Sequence, residues 1–535
     1  MIKYDYIIIG AGSSGCVLAN RLSENPTIKV LLIEAGGADN KMEISIPAGY
    51  GNLHRSNVDW GFSTEPQKQV GNRKIYLPRG KTLGGSSSTN AMAYVRGNKA
   101  DYDHWEDLGN KGWSYDQVLP YFKKSEHNED LNNFYHGKNG LLNVTFAKAF
   151  KTPYAQAFLD ACEEMGIPKT NDYNGKKQEG ASLLQFTIKN GKRHSTASAF
   201  LKPAMKRPNL EVLTWARAKK ILIKENRAIG VEFQNKRGES QKEFAKKEVV
   251  LSAGTFQSPQ ILMLSGIGDI KELKAQGIQV KRELPGVGKN LQDHLIVFVS
   301  SLSKNQQGFN HHLKPFNQAV DMINYFVNKK GPLTCSVLEA TAFFSVNNSI
   351  TPNLQFHFSP LHIGNDYKAD VYNPKTYPKI DGYSVVPTLL KPKSRGFVGL
   401  KSANFIDDPI IQPNFLSDEE DLKTLVTGTK KALDVLNSNA FNSYRKENIM
   451  PINKSEKGII EHIKKSLETV YHPVGTCKMG SDKMAVVDSN LKVHGLNGLR
   501  IVDASIMPTI ISGNTNAASI MIGEKAADMM LKLNH

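Results

Sequence analysis

The first forty residues alternate between short apolar runs and a segment with helical character. Residues 6–9 form a continuous apolar run, which is typical of a parallel strand buried on both faces. Residues 16–22 predict a helix whose small residues face a sheet, and residues 29–33 form a second apolar run. This order of strand, helix and strand predicts a βαβ unit at the start of the chain.

The rest of the chain carries weaker patterns. Residues 209–251 predict a series of strands, and Pro259 after Ser258 predicts a helix that starts there and ends near Gly266. Residues 298–470 mix strand-like and helical stretches without a nucleotide-binding pattern, which favours a substrate-binding domain. Further predictions are a strand at 353–358, a helix at 421–436, a buried strand at 498–503 and a closing helix at 517–533.

The composition is that of a folded protein with a basic surface. Of its 535 residues, 40% are hydrophobic and 22% are charged, which excludes a disordered chain. The net charge of +17 is spread out, which favours a solvated surface over a nucleic-acid-binding or membrane-binding one. The four cysteines form no CxxC pair, which argues against a disulfide framework and a zinc site. With no visible signal peptide and no apolar run of about 18 residues, a cytoplasmic protein without an integral membrane segment is predicted.

A glycine motif follows the first predicted strand. Gly10, Gly12 and Gly15 form the pattern GxGxxG. Gly10 permits the tight turn, Gly12 lets the backbone approach a pyrophosphate, and Gly15 lets helix and strand pack closely. Glu34 lies about 20 residues later, where a carboxylate accepts hydrogen bonds from a ribose. The unit predicts dinucleotide binding and leaves NAD and FAD both open.

Three later segments are rich in groups that bind ligands. Residues 79–90 combine glycines, hydroxyls and an amide in a loop that can wrap a phosphate or a flavin through backbone N–H groups. Residues 471–477 place His472 in a turn bounded by proline and glycine. Residues 508–516 form a loop rich in Ser, Gly, Thr and Asn. The alternative for residues 79–90 is a Ser/Gly linker, which the ordered-looking flanking sequence at 91–97 disfavours.

Together these blocks resemble the glucose–methanol–choline (GMC) oxidoreductase family, and its choline dehydrogenase-like members in particular. The N-terminal motif with Glu34 resembles the family's FAD site, and residues 80–90 and 254–268 resemble its two signatures. Residues 471–476 and 514–516 resemble the segments that carry the catalytic His and its partner. The resemblance covers nearly the whole chain. It implies an α/β fold in which a Rossmann-like FAD-binding domain is interleaved with an α+β substrate domain, an antiparallel sheet with helices.

We predict three regions and a non-covalent FAD. Residues 1–297 would form the FAD-binding domain with some substrate-site cover, 298–470 the substrate-binding domain, and 471–535 a C-terminal return that carries the catalytic pair. The resemblance implies a dissociable FAD, because Thr89 stands where covalent members carry His. It implies these cofactor-binding residues: Gly10, Gly12, Ser13, Ser14, Gly15, Glu34, Ala35, Thr82, Gly84, Ser87, Asn90, Ala91, Met92, Ala93, Ala218, Asp503, Ala504, Asn514, Thr515 and Asn516.

Alcohol oxidation requires a base for the hydroxyl proton and an acceptor for a hydride, which flavin N5 supplies. His472 is the predicted base, since histidine titrates near neutral pH. Asn514 is predicted to hydrogen-bond the substrate oxygen, with Asn516 as the alternative. Glu339 either faces the pocket and favours a cationic alcohol or orients a loop, and His357 is a second candidate for the substrate site.

Other histidines receive structural interpretations. His294 is predicted to be a structural residue between domains, and His311 and His312 a surface loop rather than a metal site. Leu338 and His357 stand where the light-driven fatty-acid decarboxylases of the family carry Cys and Arg. These departures argue against photodecarboxylation, and no metal is predicted.

The predicted function is oxidation of a primary alcohol to its aldehyde, with electrons passed to a quinone or carrier. The alternatives are an oxidase that produces hydrogen peroxide, a hydroxynitrile lyase-like enzyme that does not reduce its FAD, and a basic binding protein without flavin. Choline, aromatic and aliphatic alcohols are all open, as is the oligomeric state. Peripheral membrane contact through the acceptor is also left open.

Overall fold

Two β-sheets carry the architecture. The structure is a computed structural model that describes residues 3–532. Its first sheet has seven strands, of which five run parallel in the spatial order Leu210–Leu213, Val30–Ile33, Tyr4–Ile9, Ser240–Leu251 and Leu499–Ile501. The long strand Ser240–Leu251 also belongs to an antiparallel meander with Arg227–Gln234 and Arg217–Lys224.

The second sheet has eight strands, and its pairings are antiparallel. Helices Pro153–Glu164 and Glu419–Asn437 pack against it. Its two central strands are buried along their whole length. The strands are, in spatial order, Arg445–Met450, Val299–Ser303, Gly382–Leu389, Leu354–Ser359, Ala340–Phe344 and Gly180–Leu183, with Leu295–Ile296 and Glu468–Thr469 paired beside Gly382–Leu389.

Helices and short ribbons complete the described chain. The α-helices are Ser13–Ser23, Met42–Ser45, Lys99–Asp107, Tyr115–Ser125, Pro153–Glu164, Lys202–Ala204, Gly254–Leu264, Ile270–Ala275, Pro315–Asn328, Glu419–Asn437, Glu456–Ser466 and Asn516–Lys532. The short strands are Phe62–Ser63, Tyr76–Leu77, Glu126–Asn128, Leu142–Phe146, Gln185–Phe186, Ile188–Lys189, Lys192–Arg193, Ile267–Gly268, Arg282–Glu283, Phe397–Gly399 and Ile410–Gln412. Within residues 3–532, none of the helices combines the length and apolar character that a bilayer span requires.

The predicted βαβ unit is confirmed. Its strands are Tyr4–Ile9 and Val30–Ile33, and its helix is Ser13–Ser23. Both strands are almost wholly buried because neighbouring strands pair with each edge and other elements cover both faces. The mixed α/β class is likewise confirmed.

The predicted start of one helix at Pro259 is wrong. The helix is Gly254–Leu264, so Pro259 lies inside it. The carbonyl of Thr255, which Pro259 cannot satisfy because proline lacks an N–H, accepts a hydrogen bond of 2.6 Å from Oγ1 of Thr476. At the same end of the helix, the carboxylate Oδ2 of Asp503 accepts from the N–H of Gly254 at 2.9 Å. Contacts distant in sequence therefore move the start of this helix.

The chain exchanges segments between the two sheets. Strand Gly180–Leu183, from the predicted region 1–297, pairs with Ala340–Phe344 at the edge of the second sheet. Leu499–Ile501 returns to the first sheet beside Ser240–Leu251. The two sheets are thus built from interleaved stretches of sequence, and the exact division into regions stays a prediction.

A buried ion pair joins the first helix to the last. The guanidinium of Arg21 donates to both carboxylate oxygens of Glu524, at 2.9 and 2.8 Å, and the Glu524 side chain is fully buried. Nζ of Lys124 lies 3.5 Å from the same carboxylate. This pair fixes helix Asn516–Lys532, and the loop before it, against helix Ser13–Ser23.

We expect Glu524→Gln to lower the free energy of unfolding by about 3 kcal/mol, because it leaves the mostly buried Arg21 without its buried counter-charge. Thermal unfolding of the holoprotein measures this. Glu24→Gln is the matched control, since it removes the exposed partner of the same guanidinium and should cost less than about 1 kcal/mol. Equal losses from the two substitutions would contradict the structural role of the buried pair.

Candidate active site

One cavity of about 1000 Å³ contains most of the residues that the sequence singles out. Its wall includes Gly12 and Glu34 from the predicted dinucleotide motif. It also includes His472 and Asn514, the predicted catalytic pair, and His357 from the second sheet. Segments separated by more than 400 positions in the chain therefore meet around one space.

Two of the three glycines in the motif, Gly10 and Gly15, have no room for a side chain. Gly10 has φ +102°, and a Cβ there would lie 2.5 Å from the carbonyl oxygen of Ser252. A Cβ at Gly15 would lie 2.0 Å from the carbonyl oxygen of Gly10. Helix Ser13–Ser23 begins after Gly12 without a side-chain cap, which leaves its first N–H groups available to an anion.

Glu34 ends the second strand of the unit. Its carboxylate accepts from the N–H groups of Ala11 at 2.9 Å and Gly36 at 2.8 Å. Burial raises the pKa of Glu34 to about 7, although these N–H groups oppose the shift. The carboxyl group is thus held rigidly at the cavity wall, beside the turn that the glycines form.

The second glycine loop rests on the first. Gly85 has φ +51°, and a Cβ there would lie 2.8 Å from Cα of Gly12. The N–H of Gly84 donates to the carbonyl of Ala11 at 2.7 Å. The two loops are separated in sequence and form one continuous backbone surface.

Sixteen of the predicted cofactor residues line the cavity: Gly10, Gly12, Ser13, Ser14, Glu34, Ala35, Asn90, Ala91, Met92, Ala93, Ala218, Asp503, Ala504, Asn514, Thr515 and Asn516. The other four, Gly15, Thr82, Gly84 and Ser87, do not line it. Oγ1 of Thr82 donates to the carbonyl of Gly37 at 3.0 Å, and Oγ of Ser87 donates to that of Gly84 at 2.6 Å. These four residues shape the loops behind the cavity wall, and their contact with a cofactor stays a prediction.

Other residues of the same loop take their place at the wall. Arg79, Gly85, Ser86 and Thr89 line the cavity. Their residue types do not indicate that they line the cavity, because a side chain's direction within a glycine-rich loop depends on backbone angles that the sequence does not fix.

His472 and Asn514 are adjacent in the cavity wall. Nδ2 of Asn514 lies 3.2 Å from Nε2 of His472. Asn516, the alternative partner, instead accepts from Oγ of Ser13 at 2.7 Å, at the start of the first helix. The structure therefore places Asn514, and not Asn516, beside the histidine.

His294 forms the other contact of the His472 ring. Nδ1 of His294 lies 3.0 Å from Nδ1 of His472, and Nε2 of His294 lies 3.2 Å from the carbonyl oxygen of Leu390. A carbonyl only accepts, so Nε2 of His294 carries the hydrogen and its Nδ1 is the acceptor. Nδ1 of His472 therefore donates to His294, and Nε2 of His472 is bare, that is, it carries no hydrogen and accepts from Nδ2 of Asn514 at 3.2 Å. From its sequence context His294 is predicted only as a structural residue between domains, and its contact with His472 is not predicted.

Burial keeps both rings neutral. The pKa of His472 lies well below its ordinary value because of burial, and the nearby His294, His357 and Arg79 lower it further. Burial lowers the pKa of His294 to about 3. A neutral imidazole with a bare nitrogen facing a cavity is a proton acceptor. The site can therefore remove a proton from a group placed beside Nε2 of His472.

Asp293 holds the backbone of both histidines. Its Oδ1 accepts from the N–H of His472 at 2.8 Å and from that of His294 at 2.9 Å. Burial raises the pKa of Asp293 to about 7, and the charge of Arg79 opposes that shift. Arg79 in turn donates to the carbonyl of Tyr471. The turn that carries His472 is thus fixed from both sides.

The position of Glu339 fits the second of its two predicted roles, which is to orient a loop. It does not line the cavity, and its carboxylate accepts from the N–H of Thr152 at 2.8 Å and from the hydroxyl of Thr152 at 2.5 Å. His357 does line the cavity, where its Nδ1 lies 3.0 Å from Oγ1 of Thr388. Burial lowers the pKa of His357 to about 4. Of these two candidates, only His357 is placed to face a ligand.

Two buried polar atoms at the wall lack a hydrogen-bond partner among the described residues. They are Nε2 of His357 and Oδ1 of Asn514. The side chain of Asn514 nevertheless acts as a hydrogen-bonding group on His357 and opposes the lowering of its pKa, so the two side chains lie close to each other. The uncapped helix start and the glycine surface fit a ligand that has phosphates.

The described residues give no support to a metal site. Within residues 3–532, no group of three or more His, Cys, Asp or Glu side chains is arranged to hold a metal ion. His311 and His312 each lie 2.8 Å from an aspartate oxygen, of Asp381 and Asp321 respectively. The four cysteines are buried free thiols.

The sequence of this chain is similar to GMC oxidoreductases along most of its length. The N-terminal and C-terminal sequence models described as GMC oxidoreductase match residues 4–296 and 392–523. Alcohol dehydrogenase (acceptor) of Pseudomonas putida is 43% identical over 538 residues, covering 99% of this chain and 96% of that protein. Oxygen-dependent choline dehydrogenase of Brucella anthropi is 41% identical, with the same coverage of 99% and 96%.

Solved structures agree over the full length. Pyridoxine 4-oxidase from Mesorbium loti superposes with a TM-score of 0.90 at 30% identity and covers 100% of both chains. Formate oxidase superposes with a TM-score of 0.91 at 30% identity and covers 99% of this chain and 98% of that one.

We expect His294→Leu to change which ring nitrogen of His472 carries the hydrogen, because Nδ1–H of His472 then loses its acceptor. NMR of ¹⁵N-histidine-labelled protein measures which ring nitrogen carries the hydrogen, and the signal is assigned by its loss in His472→Gln. His294→Gln is the matched variant, since an amide oxygen can still accept from Nδ1–H, and it should retain the wild-type pattern. A His472 pattern that is unchanged in His294→Leu would contradict the assignment.

Proposed function

This chain belongs to the GMC oxidoreductase family, and on that premise we propose that it oxidises an uncharged primary alcohol to its aldehyde and passes the electrons to an acceptor other than oxygen. It is an FAD-dependent enzyme acting on CH–OH donors. The observation that carries the proposal is the bare Nε2 of the buried, neutral His472, which lies beside the amide of Asn514 in the cavity that the dinucleotide motif also lines.

The FAD would be held by groups that fit it. Its ADP part would contact the glycine backbone from Gly10 to Ser14 and the carboxylate of Glu34, and its pyrophosphate would lie at the uncapped start of helix Ser13–Ser23. Residues 90–93 and 503–504 would contact the rest of the cofactor. Thr89 lines the cavity, and a hydroxyl there supports dissociable FAD.

His472 and Asn514 act on the hydroxyl group of the alcohol substrate. Nε2 of His472 accepts its proton, and Nδ1–H of the same ring donates to His294, so the positive charge that forms is shared with a second imidazole. The Asn514 amide donates a hydrogen bond to the substrate oxygen as that oxygen gains negative charge. When bound, the flavin supplies the two-electron oxidant that takes a hydride from the carbon.

The proposal of an uncharged alcohol rests on the side chains that line the cavity. Glu339, the candidate for reading a cation, is bound to Thr152 outside the cavity. Asp321 lines the cavity but pairs with His312 at 2.8 Å. Apolar side chains such as Ile296, Phe298 and Val386 line it instead. Among the described residues, Glu43 is the one acid at the wall whose carboxylate has no ion pair or hydrogen bond, so the apolar side chains carry the proposal of an uncharged alcohol.

The non-oxygen acceptor is supported by the name of the relative that is 43% identical, an alcohol dehydrogenase (acceptor), whereas the names of the oxygen-dependent relative and of the two oxidase structures favour oxygen. Oxidation by oxygen is the competing outcome, and a lyase that leaves the flavin oxidised is a second one. Both are decided by the experiment that follows.

We expect anaerobic benzylic or aliphatic primary alcohols to bleach the flavin absorbance of the purified holoprotein, and choline to do so more slowly. Stopped-flow absorbance measures the rates. Admitting air should recolour the flavin slowly, whereas a quinone should recolour it at once. Rapid recolouring in air would identify an oxidase, and a flavin that stays oxidised with every alcohol would refute the proposed redox function.

We expect His472→Ala to retain its FAD and to slow alcohol-driven bleaching by about 10²- to 10⁴-fold, because the general base is lost. FAD content per chain and the bleaching rate are measured together. His462→Ala is the control, since His462 is buried with a pKa lowered to about 4 but lies outside the cavity. Near-wild-type bleaching by His472→Ala would overturn the assignment of the base.

A further inference from the structure

The helix Pro315–Asn328 exposes an apolar face to solvent. Phe316, Val320, Ile323 and Val327 recur at the spacing that places side chains on one side of a helix. Phe316 is 78% exposed and Val327 is 74% exposed, and the adjacent Phe326 is exposed as well. We call these five residues the outer apolar face. Contiguous apolar surface of this kind marks a place where a partner binds.

The opposite side of the same helix borders the cavity. Gln318, Asp321 and Met322 line it, as does Leu313 just before the helix. Within the described chain, the helix packs at its ends against the short turns Asn310–Leu313 and Pro332–Thr334. A single helix therefore separates the cavity from whatever covers the outer apolar face.

The exposed charges that flank this helix in the sequence are positive. Lys314 precedes the helix, and Lys329 and Lys330 follow it, all exposed. The only acid in the helix, Asp321, is buried and pairs with His312. Exposed Lys375, from a neighbouring loop, also borders the cavity. An apolar stripe bounded by lysines is the pattern of a helix that lies in the surface of a membrane with anionic headgroups.

A second copy of the chain fits this face less well. Lysines stand at both ends of the helix, so parallel and antiparallel pairing both bring lysine against lysine. Each chain also carries a net charge of +17, which opposes self-association. An anionic surface pairs with the same lysines.

We propose that the outer apolar face docks on the surface of an anionic phospholipid bilayer and so places the adjoining cavity next to the membrane. The phenylalanine, isoleucine and valine side chains enter the boundary between headgroups and acyl chains, and the lysines contact the headgroups. An apolar substrate or acceptor dissolved in the bilayer then has a short path to the cavity. The docking itself does not depend on the proposed function, because it is measured without substrate.

The test is co-sedimentation of the full-length holoprotein with vesicles. We expect binding to vesicles made of equal parts phosphatidylglycerol and phosphatidylcholine, and much weaker binding to phosphatidylcholine alone. The triple variant Phe316→Ser, Ile323→Ser, Val327→Ser should lower the partition coefficient at least about tenfold, because less apolar area is buried in the membrane. Lys329→Gln with Lys330→Gln should lower it roughly fivefold for each lysine removed.

Two controls separate docking from misfolding and from general stickiness. The triple variant should keep its FAD content and its bleaching rate with a water-soluble alcohol, because its three positions lie outside the cavity wall. Ile350→Ser with Ile452→Ser removes two strongly exposed isoleucines elsewhere, and should leave vesicle binding unchanged.

Three results would overturn the proposal. One is a wild-type protein that stays in the supernatant with anionic vesicles. Another is a triple variant that binds as the wild type does. The third is a wild-type dimer, seen by sedimentation velocity without lipid, that the triple variant abolishes, since the face would then be an interface between copies.

Discussion

The burial of the His472 ring is the constraint on which the rest of the site depends. The residue is 8% exposed, and none of its described ring contacts is a carboxylate. Removing an imidazole from water disfavours its charged form, so its pKa falls and the ring stays neutral near pH 7. A neutral ring still has two tautomers, and the bond to His294 selects the one with a bare Nε2. Burial sets the charge state of His472, and the hydrogen bond to His294 sets which ring nitrogen carries the hydrogen.

The fold brings three segments that are distant in sequence to the ring of His472. His294 belongs to the stretch that precedes strand Leu295–Ile296, His472 to the turn after Glu468–Thr469, and Asn514 to the loop before the last helix. The first two strands are paired to each other in the second sheet, which sets the two histidines side by side. The buried ion pair between the first and last helices fixes the third segment. Positional accuracy thus comes from sheet pairing and one buried charge pair.

The sequence predicted what local pattern and motif spacing can specify. The βαβ unit and its glycines are confirmed, because apolar runs and steric demands on glycine act within a few residues. The start at Pro259 was wrong because Thr476, more than 200 positions away, satisfies the carbonyl that proline leaves free. The side chains of Thr82 and Ser87 do not line the cavity, because the direction of side chains in a glycine loop is set by tertiary contacts. His294 was missed for the same reason, since nothing around it in sequence indicates His472.

The measurement that tests this account most directly is the pH dependence of the flavin-bleaching rate with a neutral alcohol. The base acts in its deprotonated form, and its pKa is lowered, so the rate should hold as pH falls through 6.5 and decline only below that value. Asp293→Asn is measured in parallel, because the pKa of Asp293 is raised to about 7. An acid limb at or above pH 7 in both proteins would contradict the claim that burial keeps His472 neutral and ready to accept a proton.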